Sequence, residues 1–285
     1  MSAPASEISL GVTLVVLGAA FLHAAWNALL KSTGGEPLLG TALIVAGSSI
    51  VGLFLLPFVA VPARPSWPFI AVSSVIHFGY YLTLSAAYRR GDLSFAYPLM
   101  RGVAPLFVAL LGIAFLGEHP SLPAIAGIAL ISIGILVIAW YAGGRHTPAA
   151  AGYAILNAAI IALYTFTDGT GARRSGNAVG YATWLIFLEG LPFIAWILAT
   201  RKRAALAYWN THWQRGLAGG AASLGAYAIV LWAMTRAPVA LVASLREVSV
   251  VFASLIGTFA LKEGFGWKRA LGAVAVAAGV AALKF

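Results

Sequence analysis

SFAYPLMRGVAPLFVALLGIAFLGE, residues 94–118, and VALVASLREVSVVFASLIGTFALKE, residues 239–263, decide the fold between them. Each is long and apolar enough to cross a bilayer, which takes about 20 residues, yet each carries an arginine seven positions in, Arg101 and Arg246. An arginine within a span costs at least ~2.5 kcal/mol at the bilayer centre and normally faces a cavity or a partner. Laid together at an offset of 145, the stretches match Arg101 with Arg246, Val103 with Val248, Phe107 with Phe252, Gly112 with Gly257, Leu116 with Leu261 and Glu118 with Glu263. The register runs on into Gly127 with Gly272 and Gly134 with Gly279. Upstream, at offset 146, Trp67 matches Trp213, Gly79 matches Gly225, Tyr81 matches Tyr227 and Arg90 matches Arg236. Small and apolar identities arise by chance between any two membrane helices, but Trp, Arg and Glu in one register do not. The chain therefore reads as an internal repeat with halves 1–145 and 146–285.

Composition agrees. Of 285 residues 61% are hydrophobic and 9% charged, with a mean hydropathy of +0.92, whereas soluble domains are about 25% charged. Apolar runs fall at roughly 11–30, 37–60, 68–88, 94–116, 123–141, 151–170, 178–199, 216–234, 239–260 and 269–283. Backbone groups in lipid must bond within their own segment, so the pattern predicts an all-α polytopic membrane protein of ten transmembrane helices. The first run is preceded by no Lys or Arg and, at about 20 residues, is longer than a signal-peptide core of roughly 7–15, so it is expected to remain as the first helix. Five spans per half is an odd number, so the second half enters from the opposite side and the repeats are inverted.

The links between runs carry the charge. On the side that holds the N-terminus, end A, they contain Arg64, Arg173, Arg174, Arg236 and Lys284. On the other, end B, they contain Lys31, Arg89, Arg90, Arg145, Arg201, Lys202, Arg203, Arg215, Lys262, Lys268 and Arg269. The positive-inside rule places end B in the cytoplasm and both termini outside, in the inner (plasma) membrane. Because the net charge of +10 is spread through links and forms no stripe with aromatics, the expected partner is the lipid bilayer and not nucleic acid. With no cysteine and five histidines lacking ligand spacing, no disulfide, metal or cofactor is expected.

Each half ends its fourth helix in an acidic turn, FLGEHP at 115–120 and ALKEGF at 260–265, followed by a Gly-rich fifth helix. On these turns and the two five-helix halves, the chain resembles the EamA-type repeats of the drug/metabolite transporter (DMT) superfamily over essentially its whole length. Within the superfamily its length and aromatic content are similar to those of aromatic amino acid exporters. The resemblance implies a central cavity lined by helices 1, 3, 4, 6, 8 and 9. It also implies export of small metabolites such as amino acids by alternating access. A monomer is the expected unit. The first helices of the halves differ, since HAAWNALLK at 23–31 has no counterpart in LYTFTDGTG at 163–171.

Arg101 and Arg246 are the first site candidates. Each lies about 10 Å into its helix at 1.5 Å per residue, and inversion would put Arg101 near the end-B mouth and Arg246 near the end-A mouth. Such a pair suits two gates, or stations that hold a substrate carboxylate bidentately. The plainer readings are a brace for a neighbouring loop or snorkelling to headgroups. Glu247 follows Arg246, and neighbours on a helix do not face each other, so it is free to pair elsewhere or take a proton. Glu189 in mid-helix and Asp168 near the end of the sixth run are either bridged to another helix or serve proton coupling. Glu118 and Glu263 read as turn residues that bind a helix end or basic loop. Pro98 and Pro105 flank Arg101 and are expected to bend the fourth helix.

The cavity helices supply His23, Trp26 and Asn27 in the first, His77, Tyr81 and Ser85 in the third, and Tyr97 and Met100 in the fourth. They add Tyr164 and Thr165 in the sixth, Tyr227 and Trp232 in the eighth and Ser244 in the ninth. Spacings of four and seven put His23 with Asn27, and Tyr81 with Ser85 and Tyr88, on shared faces. Together these side chains could stack on an aromatic solute and hold its ammonium or carboxylate. Singly, each aromatic is as well explained by interface or packing preference, and His77 by an ordinary helix hydrogen bond.

The leading expectation is a secondary exporter of small amphipathic metabolites, aromatic and other apolar amino acids foremost. A broad exporter of hydrophobic drugs or cations, the alternative, needs a dominant buried acid, and the first helix supplies none. An intramembrane lipid-modifying enzyme needs a nucleophile with its base, or clustered metal ligands, near one face; Ser, His and Asp are scattered here without that spacing. A nucleotide-driven pump needs GxxxxGK followed by Ser or Thr, which is absent.

Overall fold

The computed structural model describes residues 8–31, 36–90, 93–141, 147–261 and 267–283. Their regular structure is helical throughout: α1 (Leu10–Lys31), α2 (Pro37–Leu55), α3 (Trp67–Arg90), α4 (Leu93–Leu116), α5 (Leu122–Tyr141), α6 (Pro148–Arg174), α7 (Ala178–Met234), α8 (Val239–Arg246), α9 (Ser249–Leu261) and α10 (Trp267–Ala282). Two 3₁₀ turns, Leu56–Phe58 and Arg64–Ser66, join α2 to α3. Among the described residues, eight apolar helical stretches are long enough to cross a membrane, and Ala270–Ala282 is a shorter apolar one. Outward faces stay apolar, with Leu14, Phe54, Val75, Leu110, Phe115, Trp140 and Val274 all exposed; lipid is the solvent that such a surface fits. The chain is a polytopic membrane protein. Glu263, Arg145, Lys262 and Lys284, and the side chains of Lys31 and Arg269, lie outside the described residues.

The main departure from the sequence-based expectation is α7, a single helical element of 57 residues where two runs and a basic link were expected. Hydropathy marks RKRAALAYWNTHWQR at 201–215 as a link, but Arg, Lys, Ala, Leu and Gln are strong helix formers and no Gly or Pro occurs before Gly216. One break remains at Arg201, where φ is −140° and ψ 30°, and there Arg201 pairs with Glu36 at 2.6 Å. The chain reverses between the two arms. Along the first arm Ala60 meets Gly180, Gly52 meets Thr183 and Val45 meets Gly190; along the second Leu43 meets Gly216 and Gly52 meets Leu224. Thus α2 runs antiparallel to the first arm and parallel to the second.

A second departure is the break of the expected 239–260 run into α8 and α9. No Gly or Pro accounts for it. The backbone tightens there to i→i+3 bonds, Glu247 N–H to the Ser244 carbonyl at 3.1 Å and Val248 N–H to the Leu245 carbonyl at 3.2 Å, and the Glu247 side chain supplies the cause described below.

Glycine sets how closely helices meet. A Cβ at Gly127 would stand 2.8 Å from the Gly279 carbonyl oxygen and one at Gly134 2.6 Å from that of Gly272, with Gly272 and Gly279 meeting the reciprocal oxygens at 2.6 and 2.7 Å. These backbones are in contact, as small residues allow in lipid, and the order of the pairs makes α5 and α10 antiparallel. At end A, Glu118 accepts the Val239 N–H at 2.7 Å and the Ala240 N–H at 3.3 Å, capping α8, and pairs with Arg173 at 3.3 Å. Gly117, at φ +62°, makes that turn possible. At end B the Thr147 hydroxyl donates to the Arg90 carbonyl at 2.8 Å and also caps α6 through the Ala150 N–H at 3.1 Å.

Replacing Gly134 or Gly220 by leucine should lower the unfolding temperature in detergent, since overpacking costs about 1–3 kcal/mol and backbone cannot yield as a side chain does. Gly225→Ala, where nothing stands within 4 Å of the added methyl, should leave it unchanged or raise it. Intrinsic tryptophan fluorescence on heating measures both.

Candidate functional site

Arg101 of α4 and Arg246, the last residue of α8, meet inside the bundle on one carboxylate. Arg101 Nε lies 2.5 Å from Glu247 Oε2, and Arg246 Nε and Nη2 each lie 3.2 Å from Glu247 Oε1. Their exposures are 3%, 4% and 0%. Placement at opposite mouths is therefore corrected. Counted from Leu93 and Val239, the arginines lie about 10–12 Å along their helices at 1.5 Å per residue, most of the way to the middle of a ~30 Å core, where elements entering from opposite ends converge. The rule that helix neighbours diverge also fails here. Glu247 follows the last turn of α8 outside a regular helix, so its carboxylate swings back to Arg246 while holding Arg101, and the break in the chain results.

Two guanidiniums thus share a single negative charge. Their remaining donors find neutral groups: Arg101 Nη2 stands 3.4 Å from His23 Nε2, which must accept because a guanidinium only donates, and Arg246 Nη2 donates to Thr165 Oγ1 at 3.4 Å. Arg101 sits over the Tyr97 ring at 5.8 Å and Arg246 over Tyr164 at 6.0 Å. Trp26 meets the His23 ring edge-on at 5.1 Å, and its Nε1 is buried with no hydrogen-bond partner among the described residues. Pro105 has no N–H to give the Arg101 carbonyl, yet α4 passes through both Pro98 and Pro105 as one helix; the break of the pair lies in the second half instead, at Glu247.

A second buried cluster lies on α3, α6 and both arms of α7. Tyr81 donates to Glu189 Oε1 at 3.2 Å, and His77 Nδ1 stands 3.1 Å from Glu189 Oε2. Asp168 accepts the hydroxyls of Tyr181, at 3.3 Å, and of Tyr227. Tyr164 stacks on His77 with centroids 4.2 Å apart, with Tyr80 at 5.6 Å from Tyr164. Asn157 fixes α6 to α3 through the Tyr80 carbonyl at 3.1 Å and Thr83 Oγ1 at 2.7 Å.

Other candidates lie elsewhere. Asn27 Nδ2 donates to the carbonyl of His23 at 2.7 Å and Ser244 to that of Ala240 at 2.8 Å, both bonds within one helix. Met100 is buried among Leu84, Ile161 and Tyr164. Ser85 accepts from Arg89 at 3.0 Å toward end B, and Trp232 lies beneath Arg236 at 4.8 Å at end A. Sequence reading missed Ser73 and Tyr181; Ser73, His77 and Tyr81 recur every four residues, the one signal that puts Ser73 on a face with the other two.

The model of the EamA-like transporter family matches residues 10–140 and again residues 149–285. The chain belongs to the EamA-like transporter family. It is therefore a membrane transporter of the DMT superfamily. A crystal structure of another protein, 20% identical in sequence, aligns over 95% of this chain and 96% of its own with a TM-score of 0.74, and shares its fold. No curated protein matches.

Among the described residues of this EamA-like transporter, Glu247 is the single countercharge of two buried arginines. Removing one partner of a buried pair costs about 3–5 kcal/mol, so Glu247→Gln should lower the unfolding temperature sharply. Adding Arg101→Gln should restore part of the loss, a coupling that a double-mutant cycle in detergent measures.

Proposed function

We propose that this transporter is a secondary exporter of small amphipathic metabolites, aromatic and other apolar amino acids foremost, working by alternating access. The observation that carries the reading is the pair of buried guanidiniums on one carboxylate, walled by Tyr97, Tyr164, His23 and Trp26. A substrate carboxylate makes the charges two and two, taking one guanidinium while Glu247 keeps the other. The rings are the complement of an apolar side chain, and the unpaired Trp26 N–H offers a donor.

In this reading the chain crosses the inner (plasma) membrane ten times as a monomer, in two inverted halves, 1–145 and 146–285, around a central cavity. The antiparallel arms of α7 support two crossings there, and α8 with α9 one. The double match of the family model supports the halves. So does the pairing of Gly127 with Gly279 and Gly134 with Gly272, the swap that an axis in the membrane plane imposes on glycines matched by the repeat. The arginine cluster would then lie where the halves rock. End B, richer in basic residues, faces the cytoplasm.

Export of hydrophobic cations is the second reading, favoured by the buried acids Asp168 and Glu189; the surplus guanidinium opposes it. Uptake of labelled tryptophan into proteoliposomes decides between them, with tryptophan and tryptophanamide as competitors, the amide keeping the ring and ammonium but losing the carboxylate. We expect saturable uptake blocked by tryptophan alone, and a roughly ten- to hundredfold weaker competition in Arg246→Ala, as losing a charged hydrogen bond of about 1.5–3 kcal/mol dictates. Equal competition by the amide would sink the carboxylate assignment, and movement of a hydrophobic cation alone would establish the second reading.

A further inference from the structure

Glu247 is committed to two arginines, which leaves Asp168 and Glu189 as buried carboxyls without a role. They are 0% and 6% exposed, and among the described residues neither forms an ion pair with a lysine or arginine. Their donors are neutral. Asp168 takes the hydroxyls of Tyr181 and Tyr227. His77 Nδ1 lies 3.0 Å from the Ser73 carbonyl oxygen, 3.0 Å from Ser73 Oγ and 3.1 Å from Glu189 Oε2. A carbonyl only accepts, so Nδ1 carries the ring proton. The Asp168 carboxylate is met by two hydroxyl donors yet lacks a lysine or arginine partner among the described residues, and a buried charge of that kind is completed by a cation or a proton.

Position decides which cation. Thr165, the rest of Arg246 Nη2, and Asp168 are three residues apart on one face of α6, about 5–6 Å between Cβ atoms. An α-amino acid carries its carboxylate and ammonium on one carbon, so a molecule whose carboxylate lies on Arg246 directs its ammonium along α6 toward Asp168 and Tyr227. Of the two acids, Asp168 lies nearer end A. It lies six residues before Arg174, the end of α6, about 9 Å at 1.5 Å per residue. A pocket of about 320 Å³ opens at that end, lined by Arg173, Asn177, Trp232 and Arg236, with Ala172 in its wall one helical turn from Asp168.

We propose that Asp168 is the coupling residue of this transporter, a carboxyl that holds either the substrate ammonium or a proton entering from the end-A pocket, but not both. The inference rests on the transport reading and deepens it: the substrate is a zwitterion and its exchange partner is the proton. In the exchange, Asp168–COO⁻ in contact with R–NH₃⁺ takes up H⁺ to become Asp168–COOH as the ammonium leaves. At Asp168 the charge balances in each state, the substrate carboxylate leaving Arg246 together with the ammonium, and the two ligands move in opposite directions. Tyr181 and Tyr227 are positioning residues whose hydroxyls hold the carboxyl. The charged and titratable groups facing Asp168 are Arg246 from α8, Tyr181 and Glu189 from the first arm of α7, Tyr227 from the second and Tyr164 from α6 itself.

The test is made on the purified full chain in weakly buffered detergent with a pH indicator. Tryptophan added to the parent should release protons, and its Kd should rise as pH falls, by up to tenfold per pH unit, the limit for one proton exchanged per substrate. Asp168→Asn should abolish both the release and the pH dependence, while Asp168→Glu keeps them. Matching unfolding temperatures establish that all three are folded. Tryptophan that binds without proton release and at one Kd from pH 6 to pH 8 overturns the inference and leaves the transport reading standing. If tryptophan does not bind, the amino acid reading falls, and tetraphenylphosphonium added in its place decides the inference. Release from the parent but not from Asp168→Asn supports it; no release, or equal release from both, overturns it.

Discussion

Two guanidiniums drawn onto one carboxylate hold the middle of this protein together. The charges come from separate stretches of chain, Arg101 in α4 and Arg246 with Glu247 at the end of α8, and lipid offers none of them another countercharge. Their demand for each other overrides local preference. A sequence with no Gly or Pro at 247–248 gives up a regular helix there because the carboxylate must point back at its neighbour and across at α4. The rest of the packing brings these elements near enough for that demand to act.

The close approach comes from glycine. Where backbone meets backbone, at α5 against α10 and α2 against the second arm of α7, the contact residues have no side chain to intervene. Helices at that distance exclude lipid and gather the aromatic and acidic side chains of α3, α6 and α7 into one buried layer. Hydroxyl groups carry most of its polar bonding, so its charges stay few and its acids are met by phenols.

Much of this was legible in the sequence. Arg101 and Arg246 stood out because charge is scarce in lipid, and Glu118 because its turn recurs in each half. The convergence of the arginines was not legible, since a position along a helix gives depth only and small errors near the middle exchange one mouth for the other. Hydropathy misread 201–215, because it measures partition into lipid whereas Ala, Leu, Arg and Lys set backbone conformation by other means. Glu247 was judged by a rule for intact helices, and its own interactions broke the helix. Ser73 and Tyr181 were illegible for a plainer reason: their importance lies in what they face, His77 in the one case and, from an element 13 residues away, Asp168 in the other.

The short helix α8 has a mechanical consequence. Its eight residues are fastened at the first turn by Glu118, which also grips Arg173, and end at Arg246 where the helix gives way to a tight turn. Such an element is a rigid lever of about 12 Å with a pivot at the end-A surface and its load at the buried arginine. A tilt of the α4–α5 turn by a few degrees therefore arrives at Arg246 as a lateral displacement, and a displacement of Arg246 is felt in return at the surface. The protein has in α8 a direct linkage between what happens outside the membrane and the charge at its centre.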